Sequence, residues 1–241
     1  MLVKTSAIVL HSFKFGESSL IIDMFTESDG RMSFIAHVGS RKVSKIKKQF
    51  FQPMSILEIE CDTRRAHGLQ HIKDVRWLYI YSSVSFDPKK ISISLFISEF
   101  LYYALRNEQS NIKLFEYIMN GMKWLDQCDK AYSNFHLVFL MRLSKFLGFY
   151  PNLENYRANC CFDLRNGCFS EFAPLHSDFL NPDESEKIRL IIRMDYETMH
   201  LYTMSRIDRN RCIEVILNYY RIHIPDFPDI KSLDILTEVF S

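Results

Sequence analysis

The positive charges of this chain are concentrated in one stretch whose side chains are suited to binding phosphate groups. Between Met32 and Leu57 the sequence contains no acidic residue. Removing the six cations from Arg31 to Leu57 leaves 24 Lys and Arg against 29 Asp and Glu, a net charge of −5, whereas the whole protein carries +1. Such clustering is typical of contacts to a nucleic-acid backbone, although a solvated Lys-rich loop is the alternative. The predicted DNA-binding residues are Arg31, Arg41, Lys42, Lys45, Lys47 and Lys48.

A second group of side chains is of the type that binds metals, but its spacing does not suit zinc. A structural zinc site uses pairs of cysteines two to four residues apart. Here two cysteines are adjacent and no second pair follows. We therefore predict neither a metal nor another cofactor, and expect an ordered loop held by Phe162, Phe169 and Phe172. If a metal is bound after all, the candidate ligands are Cys160, Cys161, Cys168 and His176.

The motifs of common enzyme classes are not found in the sequence. There is no G-x-S-x-G turn for a nucleophilic serine, no phosphate-binding loop, no dinucleotide-binding glycine pattern and no H-E-x-x-H pair. The scattered Asp62, Asp74 and Asp87 do not have a spacing that brings two carboxylates to one metal. The sequence therefore predicts a protein without catalytic activity.

The elements that position the basic stretch are predicted to be β-strands. Asp29-Gly30 is a strong hairpin signal, because both residues tolerate the positive φ of a tight turn. Five short strands in about 80 residues, with a long connection after the third, are typical of a closed barrel of the OB type. The same count leaves an SH3-like barrel or a sandwich open. The expected strands span residues 5–12, 19–26, 31–38, 54–61 and 68–81.

Beyond Asp87-Pro88 the apolar residues follow helical spacing. We predict an OB-fold domain over residues 1–82 and an α-helical domain over residues 83–241. The latter contains an irregular insert at about 152–182, resembling a degenerate zinc finger. Ser133 is the expected N-cap of the third helix. The expected helices cover residues 97–105, 112–125, 133–147, 207–222 and 232–240, with one more that begins at 183.

Composition and the N-terminal residues indicate a cytoplasmic protein. No run of 18 apolar residues is present, so we predict no membrane-spanning helix. Met1 to Ser6 lead directly into a strand and lack the pattern of a secretory signal. The six cysteines are therefore expected to stay reduced.

Several segments resemble the RecO family of bacterial recombination mediators, and they occur in the same order over essentially the full length. The basic segment from Gly39 to Pro53 is similar to the basic loop that leads into the fourth strand of that family. The other similar segments are Ala7-Ile8-Val9-Leu10, Gly16-Glu17-Ser18-Ser19-Leu20-Ile21-Ile22, Phe25-Thr26 with Gly30, and Asn218-Tyr219-Tyr220-Arg221-Ile222-His223-Ile224 followed by Lys231-Ser232.

The resemblance implies a non-enzymatic protein of DNA repair and recombination, associated with the nucleoid. RecO-like proteins bind single- and double-stranded DNA, anneal complementary strands, and associate with RecR and with the acidic C-terminal tail of single-strand-binding protein. They thereby help to load RecA. Many members carry two C-x-x-C pairs in the insert; this sequence departs from that pattern, which puts a bound zinc in doubt.

Two other functions remain open on the residues alone. The barrel is also compatible with a scaffold that only joins proteins, or with an RNA-binding protein that has no annealing activity. Independently of the barrel, we expect the helical domain to bind the acidic partner peptide near Ile213, Ile216, Leu217 and Tyr220, although these residues also suit a core. The cations predicted to contact that peptide are Arg206, Arg209, Arg211 and Arg221.

Overall fold

Five strands near the start of the chain close into a barrel, in the order β1-β2-β3-β5-β4. The structure is a computed structural model that describes residues 2–38, 46–62 and 68–240. The predicted fold class, a five-stranded OB-type barrel followed by helices, is confirmed. The strands are β1 (Leu2–Phe15), β2 (Ser19–Thr26), β3 (Gly30–His37), β4 (Ile56–Asp62) and β5 (Gln70–Tyr79).

Closure of the barrel follows from the strand pairing. β1 pairs antiparallel with both β2 and β4, while β3 and β5 meet as a short parallel pair at Phe34 and Gln70. Alternating side chains point inward and are removed from water, which is the main stabilising term for such a barrel. The core includes Ala7, Val9, Ile22, Met24, Phe34, Phe51, Leu57 and Ile59.

Three helices belong to the same compact unit as the barrel, which comprises Met1–Gln127 and Ile230–Val239 and is called the first unit below. They are α1 (Pro88–Ala104), α2 (Ile112–Gln127) and α6 (Ser232–Val239). α1 begins at Pro88 because the Asp87 carboxylate accepts hydrogen bonds from the free backbone amides of Lys89 and Lys90. The predicted domain boundary near residue 82 falls between β5 and α1 and stays a prediction.

The connection from β5 to α1 is held by a single buried carboxylate on α2. Asp126 is 2% exposed and accepts hydrogen bonds from the backbone amides of Ser82, Ser83 and Val84 at 2.8–2.9 Å. The hydroxyl of Tyr79 donates to the same carboxylate at 3.0 Å. Burial alone would raise the pKa of Asp126, but the backbone hydrogen bonds hold that pKa well below its usual range.

The second unit, Cys128–Asp229 with Phe240–Ser241, contains three helices and a small sheet. The helices are α3 (Phe135–Phe146), α4 (Pro182–Arg193) and α5 (Arg206–His223). The predicted N-cap Ser133 is wrong: Asn134 takes that position, and its side-chain amide donates to the carbonyls of Met199 and Tyr202 instead of capping α3.

The insert expected to be irregular contains three short strands, in the sheet order β7-β6-β8. They are β6 (Cys161–Asp163), β7 (Cys168–Ser170) and β8 (Phe179–Leu180). Two or three residues are too few to give a visible alternation in the sequence. Phe162 and Phe169 are buried as expected, but Phe172 is 78% exposed and does not anchor the insert. None of the helices in the described ranges has both the length and the hydropathy of a membrane span.

Candidate nucleic-acid interface

The basic stretch is described by the structure only at its two ends. Lys48 begins a short 3-10 turn, Lys48–Phe51, that joins the stretch to β4, and Lys47 directly precedes this turn. Both side chains are exposed. The other predicted members, Arg41, Lys42 and Lys45, lie outside the described residues. The following geometry therefore concerns Lys47, Lys48 and Arg31.

Two phenylalanines fix the turn that carries the lysines. Phe51 is buried in the barrel core, and its carbonyl accepts a hydrogen bond from the Ser12 hydroxyl at 2.8 Å. Phe50 packs on Trp77 of β5 with ring centroids 4.9 Å apart. Both rings therefore anchor the turn to the barrel core just before β4 begins. Lys48 is therefore presented by a backbone that the core holds in place.

The charges of Lys47 and Lys48 are not neutralised within the described part of the chain. No carboxylate of the described residues lies within ion-pair distance of either ammonium group, and the sequence on both sides contains no acid between Met32 and Leu57. An exposed ammonium without a partner remains available to a phosphate, to which it binds as a point charge.

Arg31 lies in a different environment from the lysines. Its side chain is only 10% exposed, and its Nη1 lies 2.9 Å from Asp23 Oδ1. Its guanidinium also lies over the ring of Tyr102 on α1, 4.9 Å from the centroid. Because an opposite charge and an aromatic ring already contact this cation, its geometry favours a role in holding α1 to the barrel.

The hairpin before Arg31 is pressed against the α1–α2 connection. The backbone amide of Arg31 donates to the carbonyl of Glu108 at 3.0 Å. Gly30 has a φ of +74°, and a Cβ placed there would lie 2.4 Å from the carbonyl carbon of Gln109. Only glycine fits this contact, because it tolerates the positive φ and has no side chain.

The arginines predicted to bind an acidic peptide lie on α5, where two of them form ion pairs. Arg211 contacts Glu184 at 2.7 Å and Glu214 at 3.3 Å, and Arg221 contacts Asp229 at 2.7 Å. Arg209 is partly buried, which lowers its pKa, and Arg206 also has a partner within the protein. The predicted apolar lining, Ile213, Ile216, Leu217 and Tyr220, is core.

A neighbouring cavity nevertheless brings two of these arginines together. It has a volume of about 320 Å³ and lies between the β8 segment and α5. Arg211, Arg221 and Glu214 line it beside Phe179 and Val215. The cavity places these cations beside two apolar side chains, but most of its lining is polar, and the apolar residues differ from those that the sequence suggested.

The cysteines of the insert are not arranged around a common point. Cys161 on β6 faces Ser170, whereas Cys168 on β7 faces Asp163. His176 lies 3.4 Å from Asp163, whose carboxylate also accepts hydrogen bonds from Asn166. Within the ranges that the structure describes, no three His, Cys, Asp or Glu side chains are placed to hold a metal ion.

Comparison with known proteins gives the family. The family described as Recombination protein O N terminal matches residues 1–81, and Recombination protein O C terminal matches residues 85–234. The chain is 50% identical to DNA repair protein RecO of Phocaeicola vulgatus, 47% to that of Bacteroides fragilis strain YCH46 and 31% to that of Porphyromonas gingivalis strain W83. Each comparison covers 100% of both chains. The chain therefore belongs to the RecO family.

Proposed function

We propose that this protein is a non-enzymatic DNA-binding mediator that acts in DNA repair and recombination. It binds single- and double-stranded DNA through the basic stretch on its barrel and anneals complementary strands. Together with RecR it helps to load RecA on DNA that is covered by single-strand-binding protein. Such a role places it in the cytoplasm with the nucleoid.

The observation that carries this proposal is the pair of exposed lysines, Lys47 and Lys48, at a turn anchored in the barrel core. Their ammonium groups have no carboxylate partner among the described residues, and Arg41, Lys42 and Lys45 precede them in the sequence. Clustered unpaired cations release counterions from a phosphate backbone without reading its sequence. This behaviour suits a mediator that must act on any broken DNA.

Two strongly hydrogen-bonded carboxylates, Asp126 and Asp163, have roles in folding. Backbone amides and neighbouring side chains within their own units engage both groups. Their low pKa values follow from these hydrogen bonds, which stabilise the ionised form. Because their acceptor positions are used to fix local backbone, we assign neither carboxylate to catalysis, in agreement with a mediator role.

We further propose that the acidic C-terminal tail of single-strand-binding protein binds at the α5 cavity. Arg211 and Arg221 line it. Arg221 pairs with the exposed Asp229, and Arg211 pairs with the exposed Glu214 as well as with the less exposed Glu184, so a peptide carboxylate is able to replace Asp229 and Glu214 while Glu184 stays in place. Exposed ion pairs contribute little stability, so exchanging one for another costs little. Phe179 and Val215 supply the apolar part of the cavity for a terminal apolar side chain.

The proposal is tested by strand annealing on DNA that is coated with its cognate single-strand-binding protein. We expect the protein to accelerate annealing of complementary DNA strands, and RecR to be required for RecA loading. The same assay with RNA strands separates a DNA mediator from an RNA-binding protein. A protein that binds the coating protein but anneals neither nucleic acid is a scaffold, and this outcome contradicts the proposal.

A further inference from the structure

An apolar groove lies next to the lysine-bearing turn, within the first unit. Its volume is about 460 Å³, and its walls come from the turn, from the end of β5 and from the start of α1. Trp77 and Phe86 supply aromatic rings, and Ile80 and Ile91 supply aliphatic surface. Phe86 is 76% exposed, which is unusual for a phenylalanine beside a well-packed core.

The groove is uncharged but not devoid of polar groups. The side-chain amides of Gln49 and Gln52 line it, and neither forms a hydrogen bond to another described residue. Each amide offers both a donor and an acceptor. The Tyr81 hydroxyl also belongs to the lining, but it donates to the Met54 carbonyl at 2.7 Å and is therefore occupied.

The position of the groove relative to the charges indicates what occupies it. Gln49 lines the groove and directly follows Lys47 and Lys48 in the sequence. A ligand that contacts the lysines therefore lies next to the groove. A nucleotide has a phosphate for the lysines, a flat apolar face for the aromatic rings and a hydrogen-bonding edge for the amides. An apolar peptide side chain would leave the amides and the lysines unused.

We propose that this groove takes one unstacked base of a single-stranded nucleic acid, with Phe86 and Trp77 as the stacking surface. The inference rests on the proposed function and deepens it. Phosphate contacts alone do not distinguish a single strand from a duplex, because both carry them. A base in a duplex is paired and stacked, so its faces cannot enter the groove. The groove therefore adds a contact that a single strand makes and a duplex does not.

The test compares three ligands of equal phosphate count: an oligothymidine, the same backbone without bases, and a duplex. The substitution Phe86→Ala in the full chain should weaken oligothymidine binding about 5- to 100-fold. Binding of the abasic strand and of the duplex should not change. Phe172→Ala is the matched control, because Phe172 is 78% exposed in the second unit and distant in sequence from the basic stretch. It should leave all three affinities unaltered.

A second readout does not depend on a mutation in the groove. The chain has two tryptophans, and Trp124→Phe leaves Trp77 as the only one. Oligothymidine should quench its fluorescence, since an indole that stacks on a base loses emission, whereas the abasic strand should not. Quenching by a capped Leu-Phe peptide but not by oligothymidine would identify a peptide as the occupant and overturn the proposal.

The remaining outcomes separate the inference from the function on which it rests. Unchanged oligothymidine affinity in Phe86→Ala, together with weaker binding on charge reversal at Lys45 and Lys48, overturns the groove and retains DNA binding. If neither variant changes oligothymidine binding, both the groove and the proposed DNA-binding function are overturned. An equal loss for all three ligands in Phe86→Ala also overturns the groove. Should that variant fail to fold, Phe86→Leu keeps the apolar volume while it removes the ring.

Discussion

The side chain of Asp126 on α2 accepts the backbone amide of Ser83 at 2.8 Å, while the backbone carbonyl of Asp126 accepts the Ser83 hydroxyl. This reciprocal pair fixes the connection that leads out of the barrel. The buried Lys90 adds a third contact, since its Nζ donates to the Ser83 hydroxyl at 2.7 Å. The segment that leads into α1 is thus fixed by the last turn of α2, through a contact between residues 43 positions apart in sequence.

Replacing Asp126→Asn should destabilise the first unit strongly. The amide nitrogen of Asn would face backbone donors, leaving buried amides of Ser82, Ser83 or Val84 without an acceptor. We expect a loss of about 2–4 kcal/mol in the free energy of unfolding. Urea titration at pH 7 measures it. Asp129→Asn, at an exposed position three residues later, is the control and should change stability by less than about 0.5 kcal/mol.

The same carboxylate predicts a pH dependence. The pKa of Asp126 is lowered in the folded state, so its contribution is complete above the unfolded pKa of about 3.9 and is lost as the pH falls through the folded value. The difference in unfolding free energy between the native protein and Asp126→Asn should therefore shrink below pH 4. A difference that stays constant down to pH 2.5 would contradict this assignment.

Replacing Gly30→Ala should loosen the contact between the β2–β3 hairpin and the α1–α2 connection. The new Cβ would combine an unfavourable positive φ with an overlap on Gln109, and we expect a cost of about 2–4 kcal/mol. Gly16→Ala separates the two causes, because Gly16 has a φ of +68° but no atom lies within 4 Å of the position that its new methyl group would take. That control should cost only about 1 kcal/mol in thermal or urea unfolding.

Charge reversal in the basic stretch should reduce the salt dependence of DNA binding. Asp23 already neutralises Arg31, so the other five cations set an upper limit of about −3.5 for the log–log slope on single strands, and Lys45→Glu with Lys48→Glu should flatten it by about 1.4. The control Lys130→Glu with Lys145→Glu makes the same change in net charge at exposed positions of the second unit. An unchanged slope in the first variant, measured by fluorescence anisotropy, would refute the assignment.

The cysteines of the insert should bind less than one zinc per chain. Cys161 and Cys168 face different partners across the β6–β7 pair, and the described residues offer no group of three ligands. A chelator should therefore leave the melting temperature unchanged. Removing a structural zinc would lower it clearly, because such a metal contributes a large share of the folding energy. Stoichiometric zinc by elemental analysis would contradict the prediction and identify Cys160, Cys161, Cys168 and His176 as ligands.

An acidic peptide with an apolar C-terminal residue should bind at the α5 cavity. Arg211→Gln with Arg221→Gln in the full chain should weaken that binding about tenfold or more, since two charge-assisted hydrogen bonds are lost. Arg157→Gln is the control, because Arg157 also forms an exposed ion pair in the second unit, with Glu171. Peptide binding that depends instead on Lys45 and Lys48 would place the peptide on the barrel.

The strands were easier to predict than the helix that follows them. The sequence predicts β2 at Ser19–Thr26, as observed, because turn residues mark both of its ends. α1 begins nine residues before the expected Ile97, since buried polar residues such as Lys90, Ser92 and Ser94 obscure its apolar spacing. Local pattern reading misses Lys90 in particular, because its Nζ bonds to Ser83 and to the Asp126 carbonyl outside the helix.

The sequence indicates the charges of the proposed interface but not its shape, and the DNA contacts themselves stay a prediction. The count of cations identifies Lys47 and Lys48, but it treats Arg31 alike, although Asp23 on the neighbouring strand neutralises it. The contact between Phe50 and Trp77 joins residues of different elements, and no local pattern signals it. The apolar character of Phe50 suggests that it is buried, but it does not identify Trp77 as its neighbour. The groove beside this pair is visible only in the folded structure.

The return of α6 to the first unit has a consequence for how the protein is made. Glu99 on α1 accepts hydrogen bonds from the backbone amides of Lys231 and Ser232 at 3.0 and 2.8 Å. The ribosome synthesises α6 only after residues 128–229. The face of α1 around Glu99 therefore lacks its α6 contact while the entire second unit is being synthesised. The barrel is able to form early during translation, whereas the first unit reaches its final stability late. Its completion thus follows, rather than precedes, the synthesis of the second unit.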